Sequence, residues 1–218
     1  MNKFAIGCGG LLVIILFVAF VIGLFFWGTY NRLVALDQTV NKKWADVQSV
    51  YQRRADLIPN LVNTVAGAAN FEKSTLTEVT NARASVGRVQ LDPSKAPTDA
   101  AQLAQFQAAQ GQLSNALSRL LVVAENYPQL TATQSFRELQ AQLEGTENRI
   151  SVERNNFNAV VQDFNIAVRR FPTNVIAGMF GFVQRPFFQA KQGAENAPAV
   201  NFPNFGSPAA SPAPTSSP

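Results

Sequence analysis

From residue 136 to residue 171 an apolar side chain returns at every seventh position, as Phe136, Leu143, Ile150, Phe157, Phe164 and Phe171. A companion series three residues on, Leu139, Thr146, Glu153, Val160 and Ala167, completes a 3-4 spacing over roughly five heptads. Strands repeat at two residues and loops at no fixed period, so this segment reads as one face of a long bundle helix. Such a face needs partners, and the sequence offers two. Leu103, Phe106, Leu113, Leu117, Leu120 and Ala124 mark a helix from about Thr98 to Asn126, bounded by Pro93 and Pro97 before it and by Tyr127 and Pro128 after it. Leu33, Leu36, Val40, Trp44, Val47, Tyr51 and Ile58 form a stripe that continues as Val62, Val65, Ala69, Leu76, Val79 and Val86.

Pro59 falls inside that last stripe with no loop around it, and the apolar spacing runs past it almost in phase. The expectation is one helix to about Val86, kinked near Leu57 where the proline removes a hydrogen bond and its ring clashes. The alternative is a true break at Pro59 and four helices instead of three. A straight helix of that length would reach ~85 Å against ~45 Å for its Leu103 neighbour, so part of it must form a stalk or bend away. No alternating strand-like run and no two-residue hairpin signal occurs between Thr29 and Phe171. The fold class is all-α, an elongated antiparallel helical bundle.

Charged residues make up only 15% of the 218 residues because two stretches carry none, from Phe4 to Asn31 and beyond Glu195. Phe4 to Trp27 holds only apolar residues, glycines and Cys8, which as a helix spans ~36 Å against a hydrocarbon thickness of ~30 Å. It is expected to cross a lipid bilayer as an anchor over residues 1–30, with Trp27 and Tyr30 as an interfacial aromatic belt. A cleaved signal peptide is the alternative, but the run continues through Leu24, Phe25, Phe26 and Trp27 where a cleavage site needs polar residues. Arg32, Lys42 and Lys43 follow the run while only Lys3 and the amino terminus precede it, which tilts the C-terminal domain towards the cytoplasm.

The residue inventory excludes whole classes of chemistry. There is no histidine, and the single cysteine is Cys8, so His-containing triads, Cys/His zinc clusters, haem attachment and disulfide frameworks are absent. No catalytic, cofactor-binding or metal residue is assigned. Eighteen basic against fourteen acidic residues is a mild excess, and the pairs Lys42/Lys43, Arg53/Arg54 and Arg169/Arg170 form no basic block, so nucleic acid is not an expected partner. Arg54, Glu72, Arg83 and Glu153 lie on or beside the apolar stripes, with Glu147 and Arg154 close by. Opposite signs on different helices point to interhelical pairs that fix register. A carboxylate-dependent hydrolase using Glu72 or Glu153 is the sharper alternative, without a nucleophile or phosphate loop to accompany it.

After Pro172 an aromatic flap (172–190) packs Val175, Ile176, Met179, Phe180, Phe182, Val183, Phe187 and Phe188 into a short space. It can dock on the bundle, cover a second copy, or lie in the membrane interface with Arg185 and Lys191 on its polar side. Residues 191–218, rich in Pro, Ala and Ser, are expected to be a disordered tail.

Four separated segments carry a resemblance. They are YNRLVALDQTVNKKWADVQSVYQRRADLIPNLVNTV (30–65), ENYPQL (125–130), TENRISVERNNFNAVVQDFN (146–165) and FPTNVIAGMFGF (171–182). In this order they resemble the bacterial LemA family over Phe4 to Phe188. Phe157-Asn158 stands where that family often has Tyr-Asn. The resemblance implies a single-pass protein of the bacterial inner membrane with its amino terminus outside, a cytoplasmic bundle (31–190) and no transferable enzymatic activity. It also implies a part in envelope maintenance or stress response. The expected function is a non-enzymatic scaffold or adaptor that binds protein partners or self-assembles. The alternative is a ligand-sensing transducer working through the Pro59 kink, with room for a pocket at Ala66, Gly67, Ala68 and Ala69.

Overall fold

A computed structural model describes residues 2–68, 71–89 and 91–190, with side chains from residue 12 onward. The expected disordered tail at 191–218 lies outside the described residues, as does the side chain of Cys8. Among the described residues six helices follow one another: α1 Asn2–Ala66, α2 Lys73–Arg88, α3 Ala100–Ala124, α4 Pro128–Thr131, α5 Gln134–Arg169 and α6 Thr173–Phe180. Among the described residues there is no strand.

The first helix is continuous from the apolar run into the bundle and passes through Pro59 unbroken. Proline has no N–H to give to the carbonyl four residues earlier, that of Ala55. Arg83 on α2 donates its Nε–H to this carbonyl at 3.2 Å, so a neighbouring helix supplies the missing donor. The expected continuation to Val86 is not found: α1 ends at Ala66, not at Pro59, and the chain re-enters helix at Lys73. Gly67 begins the turn, and the Glu72 carboxylate accepts from the Ser74 hydroxyl at 2.6 Å where α2 opens. The described residues therefore hold four long helices, with the break two turns beyond the proline. The stripe stays in phase because α2 doubles back onto the same core.

Replacing Pro59 by alanine restores the backbone donor at an exposed position. Interior proline disfavours a helix by ~3 kcal/mol relative to alanine, part of which Arg83 already offsets. Pro59→Ala is expected to raise stability by about 1–2 kcal/mol, or roughly 2–8 °C in a thermal melt. A fall in melting temperature would mean that the packing depends on the local geometry proline imposes.

α1 and α5 form the long antiparallel pair. Trp44 meets Phe157, with ring centroids 5.7 Å apart, while Arg54, ten residues further along α1, meets Glu147, ten residues earlier on α5. The α2–α3 hairpin lies across this pair. Trp44 donates its indole N–H to the Asp92 carbonyl at 2.9 Å, and Asn41 accepts from the Ala96 N–H at 3.0 Å, so the connection between α2 and α3 is tied to α1.

The heptad faces are buried as their spacing requires: Phe136, Leu143, Ile150, Phe157 and Phe164 are all at most 5% exposed. Phe171 departs from the series, because α5 ends at Arg169 and its side chain is 77% exposed. The companion residue also changes along the helix, from Thr146 three residues after Leu143 to Val161 and Val168 four after Phe157 and Phe164. A straight helix turns ~20° per heptad away from a strict 3.5-residue repeat, so over several heptads the buried stripe moves by about one position.

The apolar core divides in two. One cluster holds Leu33, Val40, Trp44, Tyr51, Phe106, Ile150, Phe157 and Phe164, with Ile176 and Phe188 from the flap. The other holds Ile58, Leu61, Val79, Leu113, Leu117, Leu120, Phe136 and Leu143.

Candidate functional site

Between the two clusters lies a polar layer, and its position can be counted on three helices. Tyr51 and Ile58 on α1, Phe106 and Leu113 on α3, and Leu143 and Ile150 on α5 belong to opposite clusters and stand one heptad apart. In the gaps sit Arg54, Gln110 and Glu147. Arg54 is 1% exposed, and its guanidinium reaches Glu147 Oε1 at 2.5 Å, Ser114 Oγ at 2.9 Å and the side-chain oxygen of Gln110. Its guanidinium carbon is 5.2 Å from the centroid of the Tyr51 ring. Burial pushes the Tyr51 phenol above its ordinary value, against the opposing charges of Arg154 and Arg54. A shift of α1, α3 or α5 along its axis would part the Arg54 terminal nitrogens from Glu147, Gln110 and Ser114, so the layer favours the observed register, although the Arg54 Nε is buried without a hydrogen-bond partner.

A second polar knot, at the end of the bundle nearer the apolar run, joins four segments. Arg185 in the flap is 7% exposed, donates to Asp37 Oδ1 on α1 at 2.8 Å and to the Ala96 carbonyl at 2.8 Å. Its own backbone is gripped by Asn165 on α5, which donates to the Arg185 carbonyl at 2.9 Å and accepts its N–H at 2.8 Å. Asn158, two turns away on the same helix, grips the backbone of Phe188 in the same way, at 3.0 and 2.9 Å. An amide side chain satisfies one donor and one acceptor together, which suits it to hold both backbone groups of one residue, here Arg185 and, three positions on, Phe188. Docking of the flap on the bundle is therefore found. Arg185, which only the membrane-interface alternative placed on a polar side, is buried here with its charge paired to Asp37.

Asn165→Ala leaves the buried N–H and C=O of Arg185 without side-chain partners. The expected cost is about 2 kcal/mol, concentrated in the flap, and limited proteolysis should cut within 181–188 faster than in the parent. Unchanged cleavage would show that Phe188 and the Arg185 guanidinium hold the flap without the clamp.

The other charges placed beside the stripes find separate uses. Glu153 lies 3.9 Å from Lys43, Arg83 serves the Ala55 carbonyl, Glu72 sits at the start of α2, and Arg154 lies over the Phe188 ring at 4.8 Å. Glu72 and Glu153 are not brought together in one site. Among the described residues no three acidic or cysteine side chains converge.

At the end of the bundle far from the apolar run, the end of α1, the turn after α3, α4 and the start of α5 surround a cleft of about 710 Å³. Thr64, Gly67 and Ala68 line one side and Asn126, Tyr127, Pro128 and Thr133 the other. Hydroxyls and amides supply its polar groups, with no charged side chain in the lining.

The LemA family profile matches residues 43–202, which covers α1 from Lys43 onward, α2 to α6 and the flap. The chain belongs to the LemA family. Its curated LemA-family relatives include Protein LemA of Metamycoplasma hominis, 24% identical over 181 residues, with 82% of this chain and 78% of that protein covered. Magnetosome protein MamQ of Magnetospirillum gryphiswaldense and Magnetosome protein MamQ 1 of Paramagnetospirillum magneticum are each 25% identical over 181 residues. The alignments cover 74% of this chain but only 65% of the MamQ proteins, so the chain spans less than two thirds of their length. These names describe no enzyme. In this LemA-family chain, the helix that carries the apolar run is long and apolar enough to cross a membrane.

Proposed function

We propose that this LemA-family chain is a single-pass membrane protein of the bacterial inner membrane, with its amino terminus outside and a non-enzymatic bundle in the cytoplasm that binds protein partners or assembles with itself. One observation carries the reading: α1 runs without interruption from the apolar segment into the Arg54 layer, so the anchor and the register-setting core are one rigid element. The charges inside the bundle serve helix pairing and flap docking, and the inventory supplies no histidine or bundle cysteine for nucleophilic chemistry. Arg32, Lys42 and Lys43 after the apolar run support the cytoplasmic placement. Crosslinking in membranes, followed by sizing of the detergent-extracted protein, tests it. A higher-order species or one defined partner is expected; a monomer that captures nothing would count against it.

The cleft supports a second reading, a transducer. Its volume suits a small neutral polar ligand, and Thr64, Gly67 and Ala68 sit at the end of the same continuous helix. A metabolite that binds there must raise the melting temperature by mass action, and Thr64→Trp should abolish that rise.

A further inference from the structure

α6 buries only Ile176 and Ala177 against the bundle and turns Val175, Met179 and Phe180 outward, at 50%, 68% and 55% exposure. Phe171 before it and Val183 after it are exposed as well. No charged residue occurs from Phe171 to Gln184, while Arg169 and Arg170 stand exposed at the end of α5. An amphipathic element of this kind normally buries its second apolar face, and scattered single hydrophobes do not explain five within thirteen residues.

Position indicates what covers it. The Phe180 ring lies 4.7 Å from Tyr30 and the Phe182 ring 6.1 Å from it, and Phe26 packs against the core cluster that contains Ile176 and Ala177. Phe26 and Tyr30 bracket Trp27, the last residue of the apolar run, whose side chain is 74% exposed. α6 is thus held level with the end of the apolar run. Its geometry is fixed by Gly181, whose φ of 74° is open to glycine at little cost, and by the Phe182 N–H bonded back to the Ala177 carbonyl at 2.9 Å. The Asn165 and Asn158 clamps hold the chain beyond it.

We propose that α6 is a second membrane contact, a foot that lays Phe171, Val175, Met179, Phe180 and Val183 into the headgroup and acyl boundary of the bilayer that α1 crosses. Interfacial helices settle about 5–10 Å into that boundary, with basic residues at the rim, and Arg169 and Arg170 occupy that rim. α1 alone leaves the bundle free to swivel about one helix; a foot fixes its rotation and tilt against the membrane plane. The inference rests on α1 crossing the bilayer, and the test separates the two.

The full-length chain, with Cys8→Ser, is reconstituted in vesicles of phosphatidylcholine and phosphatidylglycerol and spin-labelled singly through Met179→Cys, Val21→Cys or Val152→Cys. Collision of each label with oxygen, which partitions into lipid, is compared with collision with a water-soluble nickel chelate. The expected result is a Met179 label shifted towards oxygen, between the deep Val21 label and the aqueous Val152 label on mid-α5. A Met179 label as nickel-accessible as Val152, with Val21 still in hydrocarbon, overturns the foot and leaves the anchor standing. An aqueous Val21 label overturns the anchor and the foot with it. A Met179 label shielded from both reagents, with dipolar broadening removed by dilution with unlabelled protein, overturns the foot in favour of a second copy on the same face.

Discussion

Trp44→Ala is expected to destabilise the bundle more than any other single truncation considered. The indole is fully buried, and its ring meets Phe106 of α3, Phe157 of α5 and Phe188 of the flap at 5.9, 5.7 and 6.1 Å. Truncating a buried aromatic of this size costs about 3–5 kcal/mol, and here three elements collapse towards one cavity, which favours the upper end. For a domain of this size that is roughly 6–20 °C in melting temperature. Trp44→Phe separates packing from hydrogen bonding, since it keeps a ring in place but leaves the Asp92 carbonyl without the indole donor, at an expected cost of about 1 kcal/mol. Trp27→Ala, at an exposed position on the apolar run, should leave a detergent melt unchanged. A Trp44→Ala protein melting with the parent would show that the first cluster does not depend on its central ring.

The contrast between the two tryptophans also shows what sequence periodicity can carry. Trp44 fell on the stripe through Leu33, Val40 and Tyr51, and the α3 stripe from Leu103 to Ala124 is buried throughout, because a helix face reports its partner through its own local spacing. The end of α1 was not legible in the same way. Val62, Val65, Leu76 and Val79 kept their phase across the turn, since both helices of a hairpin face one core, and that unbroken phase carried the expected helix on to Val86. Arg83 explains why no break was needed there. The Arg54 layer was half legible: opposite charges beside apolar stripes announced a pair, but Gln110 and Ser114 look like ordinary surface residues of an amide-rich helix. The Arg185 knot was hidden more completely. Its counter-ion Asp37 is 148 positions away, and an extended segment has no period from which burial can be read. The repeated asparagines at 158 and 165, one heptad apart on the inner side of α5, were the available signal.

Glu147→Ala is expected to cost more than Arg54→Met, although both break the same ion pair. Arg54 is almost wholly enclosed, with its side chain at 2% exposure, whereas the Glu147 side chain is at 43%. Removing Glu147 strands the Arg54 guanidinium between two apolar clusters. Breaking a buried pair in this sense costs about 3–5 kcal/mol; water that reaches the Glu147 side places the expectation near about 3 kcal/mol. Methionine in place of Arg54 removes the cation, fills much of its volume and leaves a carboxylate that water can solvate. What remains is the unpaired Gln110 side chain, about 1–2 kcal/mol. The double variant should then melt close to Arg54→Met alone, so the two losses are far from additive, as expected of groups that share one interaction. Equal losses from the two single variants would place Arg54 in water and remove the layer as the element that fixes register. The predicted order instead makes the buried cation the reason Glu147 is needed, and ties the register of three helices to one residue of the helix that carries the apolar run.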